Sequence, residues 1–206
     1  MWTKIRLRSV WAMVPLYLLL ARPTVPLILA GLVLALAGGL VRAWAAGAIR
    51  KNRVLTTHGP YAFTRNPLYV GTFLIGLGFA VASGVVWFLA AFLVFFTVIY
   101  GKTMRREEKR LAELFGEEFD RYATAVPRFL PRLASWSDVT GETSPARPAR
   151  PTLALGDEGG IAVMEAPPAP VVAAPFQLQR YLANREYQAL LGLAVMFLAL
   201  AVKLAL

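Results

Sequence analysis

The chain contains no cysteine. Disulfides, thiolate nucleophiles and cysteine-ligated zinc are therefore excluded. Its single histidine, His58, cannot build a histidine-rich metal site, and no metal is expected. Charge is scarce as well: Asp, Glu, Lys and Arg make up 17% of the 206 residues, against 57% hydrophobic residues. A soluble domain of this size needs more polar surface, so bilayer is the solvent for much of the chain. Acid is the scarcer sign, 12 residues against 22 basic ones, for a formal net charge of +10. Such a balance can serve nucleic acid, but here the basic residues flank apolar segments. That placement fits the anionic cytoplasmic face of a membrane, with no nucleic-acid partner. A small-residue cleavage site is also missing. The first apolar run is followed by Arg22-Pro23 and then by more apolar sequence, so it reads as a membrane segment.

What is present is a series of apolar segments. Residues 10–21 are short for a span. Either Ile5 and Leu7 extend the segment while Arg6 and Arg8 reach the headgroups, or it is a half-span. Pro23 interrupts, and Thr24 with Pro26 can start a second helix running to about Ile49. Residues 68–82 and 85–100 flank an uncharged Ser83-Gly84 turn and read as an antiparallel hairpin. Residues 104–125 change character: Leu111, Leu114, Phe115, Phe119, Tyr122 and Val126 recur at helical spacing among charged residues. This predicts an amphipathic helix at the interface. Residues 134–175, rich in Pro and Ala, read as a flexible linker. A last span falls within 176–206 and carries Lys203. The expected fold is thus an all-α polytopic membrane helix bundle. Residues 1–133 form the core, with about five transmembrane helices in all plus the cytoplasmic amphipathic helix.

The basic residues orient it. Lys4, Arg6 and Arg8, then Arg50, Lys51 and Arg53, then Lys102, Arg105, Arg106, Lys109 and Arg110, then Arg180 and Arg185 all fall on one side if five segments span. The positive-inside rule then puts the N-terminus in and the C-terminus out.

Three polar clusters meet at the open end of the expected hairpin: His58-Gly59-Pro60-Tyr61, Arg65-Asn66-Pro67-Leu68-Tyr69-Val70-Gly71, and Glu107-Glu108-Lys109-Arg110-Leu111. Each alone has an ordinary structural use. Asn66-Pro67 is a good helix start with Asn66 as cap. Tyr61 and Tyr69 suit a membrane interface. Gly71, Gly76 and Gly78 allow close helix packing. His58 suits a loop, and Glu107 and Glu108 suit a solvated helix face.

Together, and followed by Phe115-Gly116-Glu117-Glu118-Phe119-Asp120-Arg121-Tyr122 and Val126-Pro127-Arg128, the clusters stand in the order and spacing of a known family. Residues 53–131 resemble the isoprenylcysteine carboxyl methyltransferase and phospholipid N-methyltransferase group of integral membrane enzymes. The resemblance implies S-adenosylmethionine as cofactor and a membrane lipid or lipidated acceptor as partner; the orientation set by the basic residues puts the active site on the cytoplasmic face. It implies cofactor contacts at Arg53, Val54, Leu55, Thr56, Tyr61, Asn66, Pro67, Leu68, Tyr69 and Glu107. A sulfonium and an ammonium want carboxylate and aromatic faces, which Glu107 and the tyrosines supply. The cofactor's carboxylate wants donors such as the Asn66 amide.

Two departures matter. The family's histidine is Asn66 here, which cannot titrate near neutral pH and so is no general base. An arginine that binds substrate in the prenylcysteine enzymes is Thr103 here. Lys102, Arg105 and Arg106 stand nearby as substrate-binding candidates. An amine acceptor would have to lose a proton, for which His58 and Glu108 are the catalytic candidates. The expected function is methyl transfer to a lipid-like acceptor. The competing readings are a membrane NAD(P)H-dependent reductase of related fold and a non-catalytic membrane protein.

Overall fold

The computed structural model describes residues 14–49, 55–134, 178–183 and 187–205, and these form helices and loops with no strand. The N-terminal residues 1–13, Arg53 and Val54, and the expected linker beyond Ala134 lie outside the described residues. Helix α1 covers residues 14–20, α2 Val25–Ala48, α3 Pro67–Ala82, α4 Val86–Phe115 and α5 Glu117–Ala125; α6 is Leu178–Ala183 and α7 Tyr187–Ala205. Three of these, α2, α4 and α7, are long and apolar enough to cross a membrane. The apolar α3, at 16 residues, is shorter. The protein is a membrane helix bundle. Its outward faces agree: Leu29, Val33, Leu36 and Leu40 on α2 and Leu191, Val195, Leu198 and Val202 on α7 are exposed at helical spacing. Such apolar stripes need lipid rather than water as their neighbour.

The tightest packing joins α2 to α3. Gly31 of α2 faces Gly78 of α3, and Gly38 faces Gly71, which makes the two helices antiparallel. A Cβ on Gly71 would sit 2.6 Å from the Gly38 carbonyl oxygen, and one on Gly78 would run into the Gly31 carbonyl. The spacing of seven places both glycines of each helix on one face, so backbone meets backbone along two turns. Helix α3 meets α4 through rings instead: Phe73 lies 5.6 Å from Phe92 and 4.9 Å from Phe96, and Phe92 fills the space beside Gly76. The expected hairpin of α3 and α4 is present around Ser83-Gly84, yet the closest neighbour of α3 is α2.

Two local expectations differ. Thr24 and Asn66 occupy the positions before α2 and α3, but neither side chain makes a capping bond. The Thr24 carbonyl accepts from Ile28 N at 2.9 Å, while the Asn66 amide is used elsewhere. The amphipathic helix is also not one separate element from residue 104. Helix α4 runs unbroken for 30 residues out of its apolar half through Glu107 and Glu108, because residues 104–115 are strong helix formers. It stops at Gly116, whose φ of +54° favours glycine, and α5 restarts with nine residues.

Helix α7 packs Leu193, Phe197 and Leu200 against Ala21, Ala35 and Ala82. Its Lys203 ammonium donates to the Leu18 carbonyl and, at 2.8 Å, to the Leu19 carbonyl at the end of α1. Arg22 N donates to Ser83 O at 2.6 Å, so this end of the bundle gathers residues 18–22, the 83–84 turn and Lys203. The polar clusters lie at the other end.

Candidate functional site

Two loops close the polar end. Residues 63–66 run beside residues 125–132. Arg65 N donates to Pro127 O at 2.9 Å, and Arg132 N to Phe63 O at 3.1 Å. The Thr64 hydroxyl lies within bonding distance of the Arg128 and Phe129 carbonyls, and Asn66 Nδ2 donates to Arg128 O at 2.9 Å. Glu108 locks the pair from α4. Its carboxylate accepts from Arg128 Nε at 2.8 Å and Arg128 Nη2 at 2.6 Å, and Arg65 Nη2 stands 3.5 Å away. The Glu108 side chain is 10% exposed, so its charge is compensated by these guanidinium groups rather than by water. The hydrogen bond to Glu108 in turn holds the Arg128 guanidinium above its ordinary pKa.

Helix α5 seats a third loop. Phe119, Tyr122 and Val126 pack with Phe115 onto Leu55 and Ala62. The Tyr122 hydroxyl donates to the Tyr61 carbonyl at 2.6 Å and so holds the Gly-Pro-Tyr turn, a 3-10 helix over Gly59–Ala62. Burial pushes the Tyr122 phenol well above its ordinary range. Tyr61 itself is buried against Ala45 and Ala48 of α2, with Leu68 alongside.

The solvent-facing side is different. The Tyr69 hydroxyl donates to Glu107 Oε1 at 2.9 Å, and Glu107 is exposed. The Tyr69 ring meets Tyr100 edge-on at 5.4 Å, and Tyr100 stacks on Phe96 at 4.5 Å. Phe129, just beyond Val-Pro-Arg, closes on Phe73 and Phe96, both at 5.6 Å. The result is an aromatic wall between α3 and α4 with a carboxylate at its edge. From α2, Arg42 Nη1 donates to the Thr72 hydroxyl and lies 3.4 Å from the Leu68 carbonyl.

The expected cofactor residues therefore separate. Tyr69 and Glu107 are brought together. Tyr61 and Leu68 share one cluster behind them. Leu55 and Thr56 are buried under α5 and its surroundings, Pro67 is fully buried, and Asn66 spends an amide hydrogen on the Arg128 carbonyl. His58 is half-buried beside the 3-10 turn, and Lys102, Arg105 and Arg106 are exposed along α4. Adjacent residues on a helix point about 100° apart, and Glu107 and Glu108 accordingly serve different partners. Sequence reasoning passed over Arg42. The signal was available: it is the one charge in the 24 residues of α2, and an ionisable residue in an apolar span calls for a partner. Among the described residues, no group of three or more His, Asp or Glu could hold a metal ion.

The sequence of this bundle is similar to that of known proteins. Residues 27–118 match the phospholipid methyltransferase family model. Individual relatives are similar over part of the chain. The chain is 39% identical over 95 residues to the cobalt-zinc-cadmium resistance protein CzcN of Cupriavidus metallidurans, covering 45% of this chain and 44% of that protein. It is 42% identical over 98 residues to the nickel-cobalt-cadmium resistance protein NccN of Alcaligenes xylosoxydans xylosoxydans, with the same coverage of 45% and 44%. It is 31% identical over 81 residues to the protein-S-isoprenylcysteine O-methyltransferase of Schizosaccharomyces pombe, covering 39% of this chain and 34% of that protein. The match thus spans less than half the length of each relative. No solved structure matches the chain.

Proposed function

We propose that the protein transfers a methyl group from S-adenosylmethionine to a lipid-like acceptor that reaches the site from the bilayer. The observation that carries this reading is the Tyr69–Glu107 hydrogen bond at the edge of the aromatic wall. The donor set fits the cofactor. Its sulfonium and ammonium are cations, and an exposed carboxylate beside tyrosine rings suits them. When bound, the cofactor supplies an electrophilic methyl group. The chain's own residues orient the reactants and exclude water. Tyr69 holds the Glu107 carboxylate, the ring wall of Tyr100, Phe96 and Phe129 offers an apolar surface, and the Glu108 clamp fixes the loops around it. A carboxylate acceptor needs no general base, so positioning does most of the work. An amine acceptor would hand its proton to His58, because both Glu108 oxygens are engaged by guanidinium groups. Lys102, Arg105 and Arg106 line the exposed face of α4, where an anionic acceptor headgroup would approach.

The test is direct binding to purified protein in detergent or nanodiscs. Glu107→Gln should weaken S-adenosylmethionine binding about 30-fold, roughly 2 kcal/mol for a charge-assisted contact in a partly dry site. Glu108→Gln should change the affinity of the folded protein much less. Unchanged affinity in Glu107→Gln would remove Glu107 from the cofactor site. A parent protein that ignores S-adenosylmethionine and takes up a nicotinamide dinucleotide would overturn the methyltransferase reading.

A further inference from the structure

The segment after Val126-Pro127 uses its two kinds of residue in an inverted way. Arg128 gives its guanidinium to Glu108, and Arg132 donates from Nη1 to the Ala125 carbonyl while its Nε and Nη2 are buried. Both arginines thus engage protein groups. Leu130, Pro131 and Leu133 are exposed, Leu130 at 77% and Leu133 completely. A loop in water does the reverse, with charge outside and leucine inside.

The depth of the segment accounts for the inversion. The Phe129 ring lies against Phe73 and Phe96. Phe73 stands six residues beyond Pro67 at the start of α3, and Phe96 six residues before Lys102, the first charge on α4. At the helical rise per residue, both rings sit about 9 Å inside the polar ends of their helices. Around Phe96, Phe95, Val98 and Ile99 are exposed, on a surface that needs lipid as its neighbour. Phe129 therefore reaches hydrocarbon depth, and the two leucines continue an apolar surface already turned to the bilayer. The backbone can follow. The Phe129 carbonyl accepts from the Thr64 hydroxyl at 3.0 Å, the Arg128 carbonyl from Asn66 Nδ2, and Arg132 N donates to Phe63 O. Irregular backbone is tolerated near the hydrocarbon only when its polar groups are satisfied in this way.

We infer that residues 129–133 form a foot set into the cytoplasmic leaflet, with Leu130 and Leu133 among the acyl chains. The inference goes beyond the methyl-transfer reading and holds whatever the reaction. Its consequence for the site is mechanical. The foot is bonded to residues 63–66, which lead into the helix that bears Tyr69, so the bilayer fixes the height of that loop. Tyr69 precedes Phe73 by one turn and stands about 6 Å nearer the cytoplasm, at the level of lipid headgroups.

Because the chain has no cysteine, single nitroxide labels can be placed at will. They go on Leu130→Cys, Leu133→Cys and, as a water-facing control on α5, Glu117→Cys, each in the full chain in phosphatidylcholine–phosphatidylglycerol vesicles. Oxygen concentrates in lipid, and a charged nickel chelate stays in water. Oxygen should relax the labels at 130 and 133 more than the chelate does, with the order reversed at 117. Relaxation by the chelate at both leucine positions would put the loop in water and overturn the inference. Protection from both reagents would overturn it too, since a second copy or another segment of this chain would then cover the leucines. A second measurement needs no label. In the double variant Leu130→Ser, Leu133→Ser, the Arg65 and Arg132 amides should exchange hydrogen about tenfold faster or more, as expected when two leucines lose an apolar environment. Amides along the α2–α3 seam should keep their rates. Unchanged exchange at Arg65 and Arg132, or acceleration spread equally over the seam, would refute the foot, and this measurement decides if the cysteine variants fail to insert.

Discussion

A methyl group added to Gly78 should unseat α3 from α2. The Cβ of Gly78→Ala would collide with the Gly31 carbonyl and lie 2.9 Å from Ala35 N, whereas ordinary van der Waals contact begins at 3.4 Å. Both obstacles belong to the α2 backbone, which cannot rotate away as a side chain would. The two axes must therefore move apart by about half an ångström or more, and dispersion across a close-packed seam falls steeply with such a gap. Overpacking of this kind costs about 1–3 kcal/mol. The alanine recovers up to about 1 kcal/mol through its better helix propensity. The net should be a loss of about 1–2 kcal/mol. Gly101→Ala is the matched control, because a Cβ there meets nothing within 4 Å and only the propensity gain remains. Gly71→Ala should resemble Gly78→Ala, since its Cβ would lie 2.6 Å from Gly38 O and 3.1 Å from Arg42 N. The double variant should lose less than the sum, because a seam already opened at one glycine pair is partly opened at the other. Equilibrium unfolding in mixed micelles measures all four proteins. Gly78→Ala as stable as Gly101→Ala would refute the claim that this seam is backbone on backbone.

Three further outcomes are expected. Glu108→Gln should cost about 3 kcal/mol in the same assay, because Arg65 is left buried beside a neutral group and its Nε already lacks a partner among the described residues; a change within 0.5 kcal/mol, about the scatter of a surface substitution, would show the clamp to be decorative. Tyr122 titrates above its ordinary 10.0 because it is buried, so the unfolded chain loses this proton first as pH rises. The stability it contributes is full below pH 10.0 and drains away above it, and Tyr122→Phe should blunt that alkaline loss while costing about 1–2 kcal/mol at neutral pH through loss of the hydrogen bond to the Tyr61 carbonyl. Cysteines introduced at the exposed positions Glu117 and Thr24 should label from opposite membrane faces, Glu117 from the cytoplasm; labelling of Glu117 from outside would invert the proposed topology.

The parts of this protein legible in its sequence are those governed by local periodicity or by chain order. Apolar length marked α2 and α7. Glycine spacing on α3 marked a close seam, and the order of the motifs brought Tyr69 and Glu107 to one end. What escaped was set by partners far along the chain. Nothing near residue 102 tells a helix to stop when its surroundings turn from apolar to charged, so α4 continues to Phe115 and a boundary drawn there on composition fails. The Asn66 side chain had two outlets, its own helix start and a carbonyl 62 residues away, and the second won because residues 63–66 and 125–132 were already aligned by backbone bonds. The Glu108 carboxylate looked like one of a solvated pair until Arg128 arrived from beyond α5. Arg42 was overlooked because a single charge barely alters the apolar average of a 24-residue helix, although its isolation was the informative part.

The Lys203 ammonium and the Leu18 and Leu19 carbonyls it caps are 184 or more positions apart. Those carbonyls belong to the last turn of α1, where the helix itself offers no donor. In hydrocarbon, such groups cannot wait cheaply, so α1 must either stay near the headgroups or remain loosely held while α2, α3 and α4 insert. The helix that satisfies them is made much later. Assembly therefore has a built-in order in which the glycine-seamed pair comes first and the first segment is latched only once α7 arrives. Lys203→Met should thus affect the yield of correctly inserted protein more than the stability of protein already assembled, and a fusion partner that holds α7 back from the bundle should leave α1 open to protease while the site end is intact.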